Sequence, residues 1–152
     1  MDDLYLEKEL ALNIGKDEMH RLYSYPECQL EFDFLGFLES YNDLKDLIPK
    51  DFTIIDLGCY QALQGYYFKN HKEYIGIDNY VPIIWRFHQN NAKYYYMSIQ
   101  DFIKEHINEL DLSKTFAICS YVPDIEARTL VRNTFPYYRD IYCDEKFEVL
   151  PI

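Results

Sequence analysis

The sequence contains few of the residues that most often interrupt regular structure, and few cations. Its 152 residues include only 5 Gly and 6 Pro, which argues against a low-complexity or collagen-like chain. Its 15 Lys and Arg stand against 26 Asp and Glu, a formal net charge of -11. Sequence-independent binding of nucleic acid depends on cationic side chains. We therefore expect no nucleic-acid partner.

Signals for secretion, membrane insertion and metal binding are also missing. The chain begins Met1-Asp2-Asp3, acidic where a secretory signal would be basic, and no apolar run reaches the length of a membrane span. The four cysteines form no CxxC pair, and the four histidines do not stand at metal-ligand spacing with them. Scattered thiols without a signal indicate a reducing compartment. We expect a cytoplasmic protein without a metal site or a membrane partner.

What the sequence does contain is enough apolar material for one folded domain. Hydrophobic residues make up 49% of the chain and aromatic residues 18%. Residues 1–50 predict a helical N-terminal segment of this domain, with a short helix ending near Gly15 and an amphipathic helix over about 29–48 that Pro49 ends. Residues 51–152 predict an α/β core, truncated after strand five.

In this core, short apolar runs alternate with helical segments. The predicted strands are Phe52–Leu57, Tyr74–Ile77, Lys93–Met97, Thr115–Cys119 and Tyr137–Cys143, with Phe147–Ile152 as a candidate sixth. The predicted helices are Leu63–Asn70, one beginning near Pro82, Asp101–Leu110 and Asp124–Asn133. Such alternation implies parallel strands with right-handed crossovers and helices on both faces. The predicted fold class is α/β, with a doubly wound, mostly parallel sheet.

The residues after each strand mark the candidate site, because ligands of such sheets bind beyond the carboxyl ends of the strands. Gly58 follows the first strand, where a glycine lets the backbone turn tightly. Asp78 comes directly after the second predicted strand, 20 positions after Gly58. An acid at that distance is suited to accept hydrogen bonds from the hydroxyls of a ribose.

Two of these stretches resemble the class I S-adenosylmethionine-dependent methyltransferases. The stretch from Ile54 to Cys59 (IIDLGC) resembles the first motif of that family, and the stretch from Tyr74 to Asp78 (YIGID) resembles its second. The resemblance covers about residues 50–143. It implies a methyltransferase-like Rossmann fold and S-adenosylmethionine as the cofactor.

The resemblance also implies a set of cofactor contacts at the strand ends. They are Asp56 and Gly58 at the methionine end, Asp78 at the ribose, Asn79 and Tyr80 flanking the adenine, and Ser98 and Ile99 at the adenine edge. Methyl transfer needs no universal catalytic side chain, because the sulfonium is already activated. Tyr121, just after strand four, is the weak candidate for a catalytic residue that contacts the acceptor, and packing is the interpretation that we favour for it.

Several of these residues also have a purely structural interpretation. Asp56 could cap the turn after its strand, Asp78 could begin a helix, and Ser98 could cap one. The sequence also departs from the family at Tyr60, where a second glycine is usual, and in its short C-terminal part. Tyr60 could turn away from the cofactor or fill its pocket.

The leading prediction is a methyltransferase that acts on a small molecule or a protein. The alternative is a catalytically degenerate protein of the same fold that serves as a binding or interaction module. Tyr60 and the short C-terminal part favour the alternative, while Asp56, Gly58 and Asp78 favour the enzyme. A third, weaker prediction is an acidic mimic of nucleic acid. The edge of a truncated sheet could pair with a second copy, which would give a homodimer.

Overall fold

The computed structural model describes residues 34–59, 62–79, 89–120, 122–141 and 148–149, without the side chains of 34–40, 63, 148 and 149. Five predictions concern residues outside these ranges. They are the helix ending near Gly15, the helix beginning near Pro82, the adenine contact of Tyr80, and the side chains of Tyr60 and Tyr121.

A central sheet organises the described part of the chain, where it has six strands. They are β1 (Thr53–Leu57), β2 (Glu73–Asp78), β3 (Ala92–Tyr96), β4 (Thr115–Ser120), β5 (Tyr138–Ile141) and β6 (Glu148–Val149). Their order across the sheet is β3-β2-β1-β4-β5-β6. The first five strands are parallel, and β6 is antiparallel to β5. This confirms the predicted α/β fold with a mostly parallel, doubly wound sheet.

Helices flank the sheet on both sides. In the described ranges they are α1 (Phe34–Leu47), α2 (Ile99–His106) and α3 (Ile125–Thr134), with 3₁₀ segments at Leu63–Phe68, Ile107–Glu109 and Leu112–Lys114. The helix predicted over 63–70 is therefore a 3₁₀ segment. Its backbone bonds span three residues, as from Gly65 N to Ala62 O at 2.9 Å, the tighter spacing that short connectors commonly adopt. None of the helices in these ranges is long and apolar enough to cross a bilayer.

The sheet buries both of its faces, as central parallel strands do. Side chains alternate along β1, so that Ile54 packs with Tyr41 on the side of α1, while Ile55 packs with Phe102 and Val131 on the side of α2 and α3. All five side chains are at most 1% exposed. Because the three central strands are fixed on both sides, the loops at their carboxyl ends begin from a rigid base.

Candidate functional site

A cleft of about 370 Å³ opens at the carboxyl ends of β1, β2 and β4. The first turns of α2 and α3 form its other walls. It lies where the strand order reverses, because β1 has β2 on one side and β4 on the other. Ligands of doubly wound sheets bind at this switch point, and the volume is within the range of small-molecule sites, about 300–1,000 Å³.

The structure brings five of the predicted cofactor residues together around this cleft. They are Gly58, Asp78, Asn79, Ser98 and Ile99. These residues come from three separate loops, so their assembly is a consequence of the parallel pairing of β1 with β2 and of β2 with β3. Whether they contact a cofactor stays a prediction.

Gly58 forms the tight turn after β1. Its φ angle is +84°, in the region that favours glycine. A Cβ at this position would lie 3.0 Å from both the carbonyl oxygen of Ser120 and Cγ2 of Val122. The amides of Gly58 and Cys59 both donate to the carbonyl oxygen of Ile77, at 2.8 and 3.2 Å. The absence of a side chain therefore lets the backbone of this turn reach the wall of the cleft.

Asp78 and Asn79 stand at the end of β2 and differ in exposure. Asp78 is the last residue of the strand and is buried, while Asn79 is exposed. The prediction ended the strand one residue earlier, at Ile77. Because Asp78 belongs to the strand, the sheet fixes its backbone, and the residue lines the cleft.

The first turns of α2 and α3 are capped by side chains that also line the cleft. Ser98 Oγ accepts the amide of Asp101 at 3.0 Å, and Asp124 Oδ1 accepts two amides at the start of α3. The capping role predicted for Ser98 is thus observed. Gln100 Nε2 donates to Asp124 Oδ2 at 2.9 Å, which joins the two helix starts across the cleft mouth. This hydrogen bond holds the pKa of Asp124 below its ordinary value.

Among the described residues, Asp56 is a predicted cofactor residue that does not line the cleft. Its side chain is 0% exposed and points to the α1 side of the sheet, with Ile54. The physical reason is the alternation of the strand: Leu57 points to the opposite face, and the cleft begins only at Gly58.

Three buried donors surround the Asp56 carboxylate. The Tyr41 hydroxyl donates to Oδ1 at 2.9 Å, Gln64 Nε2 donates to Oδ2 at 2.8 Å, and the Tyr74 hydroxyl donates to Oδ2 as well. Burial raises the pKa of Asp56 to about 6, and the three hydrogen bonds oppose this rise without cancelling it. Burial also raises the pKa values of Tyr41 and Tyr74 well above 10, so both phenols stay neutral near pH 7.

Sequence reasoning missed three polar residues of this region: Gln64, Gln100 and Ser120. Gln64 belongs to no sequence motif that could have identified it, because its contacts with Asp56 and Cys59 form only in the folded chain. Ser120 could have been identified from its position at the end of β4. The carboxyl ends of neighbouring parallel strands lie at the same edge of the sheet, which is where ligands bind. It is 3% exposed and lies at the cleft.

The two described cysteines, Cys59 and Cys119, are buried and are not joined in a disulfide. Burial raises the pKa of the Cys119 thiol to about 12, so it stays protonated near neutral pH. A protonated thiol is a weak nucleophile. Cys59 and Cys119 belong to the hydrophobic clusters on the two faces of the sheet.

Comparison with known proteins shows a similarity of fold. No family model matches the chain, and no curated protein sequence matches it significantly. A solved structure of a proposed type II methyltransferase from Anaeromyxobacter dehalogenans matches with a TM-score of 0.50 and 14% sequence identity. The match covers 68% of this chain and 46% of the other, so this chain spans less than half of that protein's length. The similarity supports a methyltransferase-like fold.

Proposed function

We propose that this protein binds S-adenosylmethionine in the cleft and transfers its methyl group to a small molecule or a protein. The observation that carries the proposal is the position of Asp78, a buried acid at the end of β2 beside the switch point. In doubly wound sheets an acid at this position accepts hydrogen bonds from the hydroxyls of a ribose. The methyltransferase-like fold of the structural neighbour supports the choice of cofactor.

The residues around the cleft fit such a ligand. Gly58 offers a backbone surface that a Cβ would obstruct, and Asp78 offers a carboxylate for two hydroxyl donors. Asn79, Ser98 and Ile99 then lie beside the adenine. When bound, the cofactor supplies an activated sulfonium methyl group, and the chain's task is to bind it and align the acceptor.

The test of this proposal is calorimetric titration of the protein with S-adenosylhomocysteine. Asp78→Asn removes the charge of the ribose acid at nearly constant volume. We expect about a tenfold or larger loss of affinity, because hydrogen bonds to a charged group are worth about 1.5–3 kcal/mol. Asp46→Asn, the same change at an exposed residue of α1, is the matched control and should bind like the wild type.

Absence of heat with millimolar ligand would rule out the cofactor proposal, and equal binding by wild type and Asp78→Asn would rule out the role of Asp78. A transfer assay with a radiolabelled methyl group then separates catalysis from binding alone. Binding without transfer to small-molecule or protein acceptors would favour the alternative, a binding module of the same fold. The Asp124 carboxylate at the cleft fits this alternative. It already accepts two backbone amides at the start of α3, so it acts as a helix cap rather than as a group that contacts the acceptor.

Acceptor, assembly and location remain predictions. We expect a small molecule or a protein as the acceptor rather than nucleic acid, because of the formal net charge of -11. A homodimer and a cytoplasmic location stay expectations from the sequence. Sedimentation velocity tests the assembly directly, since a dimer has twice the mass of the 18.4 kDa chain.

A further inference from the structure

The cleft is acidic in the part that the structure describes. Its charged lining residues there are Asp78 and Asp124, and none of the described lining residues is Lys, Arg or His. A sphere of 370 Å³ is about 9 Å across, which is less than the screening length of about 10 Å at 0.1 M salt. A phosphate group of a ligand would therefore be repelled by a carboxylate wherever it lay in the cleft.

Two α-helices of the described chain begin at this cleft, and each is capped by one of its own side chains. The start of a helix presents backbone amides, which commonly bind the phosphate of a nucleotide. At α2, Ser98 Oγ accepts the amide of Asp101 at 3.0 Å. At α3, Asp124 Oδ1 accepts the amides of Glu126 and Ala127 at 2.9 and 3.3 Å. These amides, which could bind a phosphate, are thus occupied by the chain itself.

The described segment after β1 is not the start of an α-helix either. In sheets that bind dinucleotides, the pyrophosphate lies at the start of the helix that follows the first strand. Here the first described segment after the turn at Gly58 is the 3₁₀ segment Leu63–Phe68. The amide of Gly65 in its first turn already donates to the carbonyl oxygen of Ala62 at 2.9 Å. This segment therefore lacks the aligned helix amides that hold a phosphate.

The two caps differ in charge. Serine, asparagine and aspartate cap a helix about equally well, and α2 is capped by the neutral Ser98. Asp124 adds a negative charge that capping does not require. Gln100 Nε2 donates to its second carboxylate oxygen at 2.9 Å, which fixes the carboxylate at the cleft mouth. The hydrogen bonds from Gln100 and from the helix amides hold the pKa of Asp124 below its ordinary value, so it is charged near neutral pH.

We propose that Asp124 is a specificity-determining residue that excludes from the cleft those nucleosides that carry a phosphate. Its carboxylate occupies the amides at the start of α3, and it repels a second anion. This role rests on the proposed function, because it defines the class of nucleoside that the cleft accepts, one without phosphate. S-adenosylmethionine, with one net positive charge, and S-adenosylhomocysteine, with none, both belong to this class.

The first test compares adenosine with adenosine 5′-monophosphate by calorimetric titration at pH 7.5. The two ligands differ only in the phosphate, so the ratio of their affinities measures how strongly the cleft excludes that group. We expect the wild type to bind adenosine about tenfold more tightly or better, because like charges at close range repel each other. In Asp124→Gly the affinity for the monophosphate should rise about tenfold, while that for adenosine should stay within about twofold.

Glycine suits this test because it frees the amides of α3 and is itself tolerated at an N-cap. Asp124→Asn keeps an acceptor for these amides but removes the charge, so its affinity for the monophosphate should lie between those of the wild type and Asp124→Gly. Asp111→Gly is the matched control, since Asp111 caps the 3₁₀ segment Leu112–Lys114 away from the cleft. It should bind both ligands like the wild type.

Circular dichroism establishes that the variants are folded, and Asp124→Asn carries the test if Asp124→Gly does not fold. Equal affinities of the wild type for adenosine and its monophosphate would overturn the proposal, even if S-adenosylhomocysteine binds. An unchanged affinity for the monophosphate in the Asp124 variants would overturn it as well.

The second test needs no nucleoside and therefore separates this proposal from the cofactor proposal. Inorganic phosphate is titrated into the protein, and NMR follows the amide signals of Glu126 and Ala127, the two amides that Asp124 occupies. In Asp124→Gly these signals should report an affinity for phosphate about tenfold higher than in the wild type, and in Asp111→Gly they should follow the wild type. Identical titrations of the wild type and Asp124→Gly would overturn the proposal. The expected phosphate shifts without any binding of S-adenosylhomocysteine would rule out the proposed function and leave the exclusion of phosphate supported.

Discussion

Gly58 combines two constraints that few residue types satisfy together. Its φ of +84° disfavours any side chain, and a Cβ would lie 3.0 Å from a backbone oxygen that has little freedom to move. A left-handed conformation costs a non-glycine residue about 1–2 kcal/mol. The steric contact adds to this cost, because Ser120 belongs to the central strand β4.

Gly58→Ala should lower the free energy of unfolding by about 2 kcal/mol or more and weaken binding of S-adenosylhomocysteine. Gly58→Asn is the matched control, since it adds the same Cβ but tolerates a positive φ better. Urea unfolding should show Asn to be less destabilising than Ala, with both variants defective in binding. Wild-type stability in Gly58→Ala would show that the turn at this position is not constrained.

Asp56 also affects stability, with a sign set by its raised pKa. The folded protein holds the Asp56 proton up to about pH 6, whereas an unfolded chain releases it near the ordinary value of 3.8. Its contribution to stability is therefore fully present below pH 3.8 and is lost as the pH rises to 6. The shift corresponds to roughly 3 kcal/mol.

His71 acts in the opposite direction, because burial lowers its pKa and its contribution is lost as the pH falls below 6.5.

Asp56→Asn should remove the Asp56 contribution to the pH profile. Urea unfolding between pH 4 and pH 6 should show the wild type losing stability relative to Asp56→Asn as the pH rises. Only the difference between the two slopes is diagnostic, since other groups titrate equally in both proteins. Parallel profiles would mean that the Asp56 carboxyl has an ordinary pKa.

At the scale of elements, the starts of α2 and α3 combine capping with the formation of the cleft. Ser98 accepts one amide, and Asp124 accepts those of Glu126 and Ala127 at 2.9 and 3.3 Å. Gln100 links the two caps. The same side chains thus stabilise two helices and fix the distance between them at the cleft mouth.

Ser98→Ala should cost about 1 kcal/mol of stability, and Asp124→Ala should cost more because two amides and Gln100 lose their acceptor. Gln100→Ala is the control that keeps both caps, and its cost should be below about 1 kcal/mol, as for exposed pairs. Chemical denaturation of the three variants gives the ranking. A cost of Gln100→Ala equal to that of Asp124→Ala would show that the link, and not the cap, carries the effect.

At the scale of the whole molecule, the dominant feature is the formal net charge of -11. Self-repulsion of a large net charge destabilises the compact state, and salt screens it over about 10 Å at 0.1 M. We expect the thermal midpoint to rise between 10 and 200 mM NaCl at pH 7.5. A neutral osmolyte at equal osmolarity is the control, and an unchanged or falling midpoint in salt would contradict the expectation.

The outline of the fold could be predicted from the sequence because buried parallel strands leave a clear pattern. Runs such as Thr53–Leu57 and Thr115–Ser120 are apolar or β-branched along most of their length, which an exposed strand would not be. The type of helix over Leu63–Phe68 could not be predicted in this way. It depends on the contact of Gly65 with the Tyr74 ring and on the bonds of Gln64, which join residues distant in sequence.

The sequence by itself determined which loops carry the polar residues of the candidate site, because the spacing from Gly58 to Asp78 and the serine before α2 are local signals. Only the tertiary structure decided which side chains share the cleft. Asp56 lies two positions before Gly58, yet the alternation of β1 turns it to the opposite side, towards Tyr41 and Tyr74, which are 15 and 18 residues away. The scarcity of glycine is informative at this point: of the few that the chain has, Gly58 occupies the turn where packing leaves no space for a side chain.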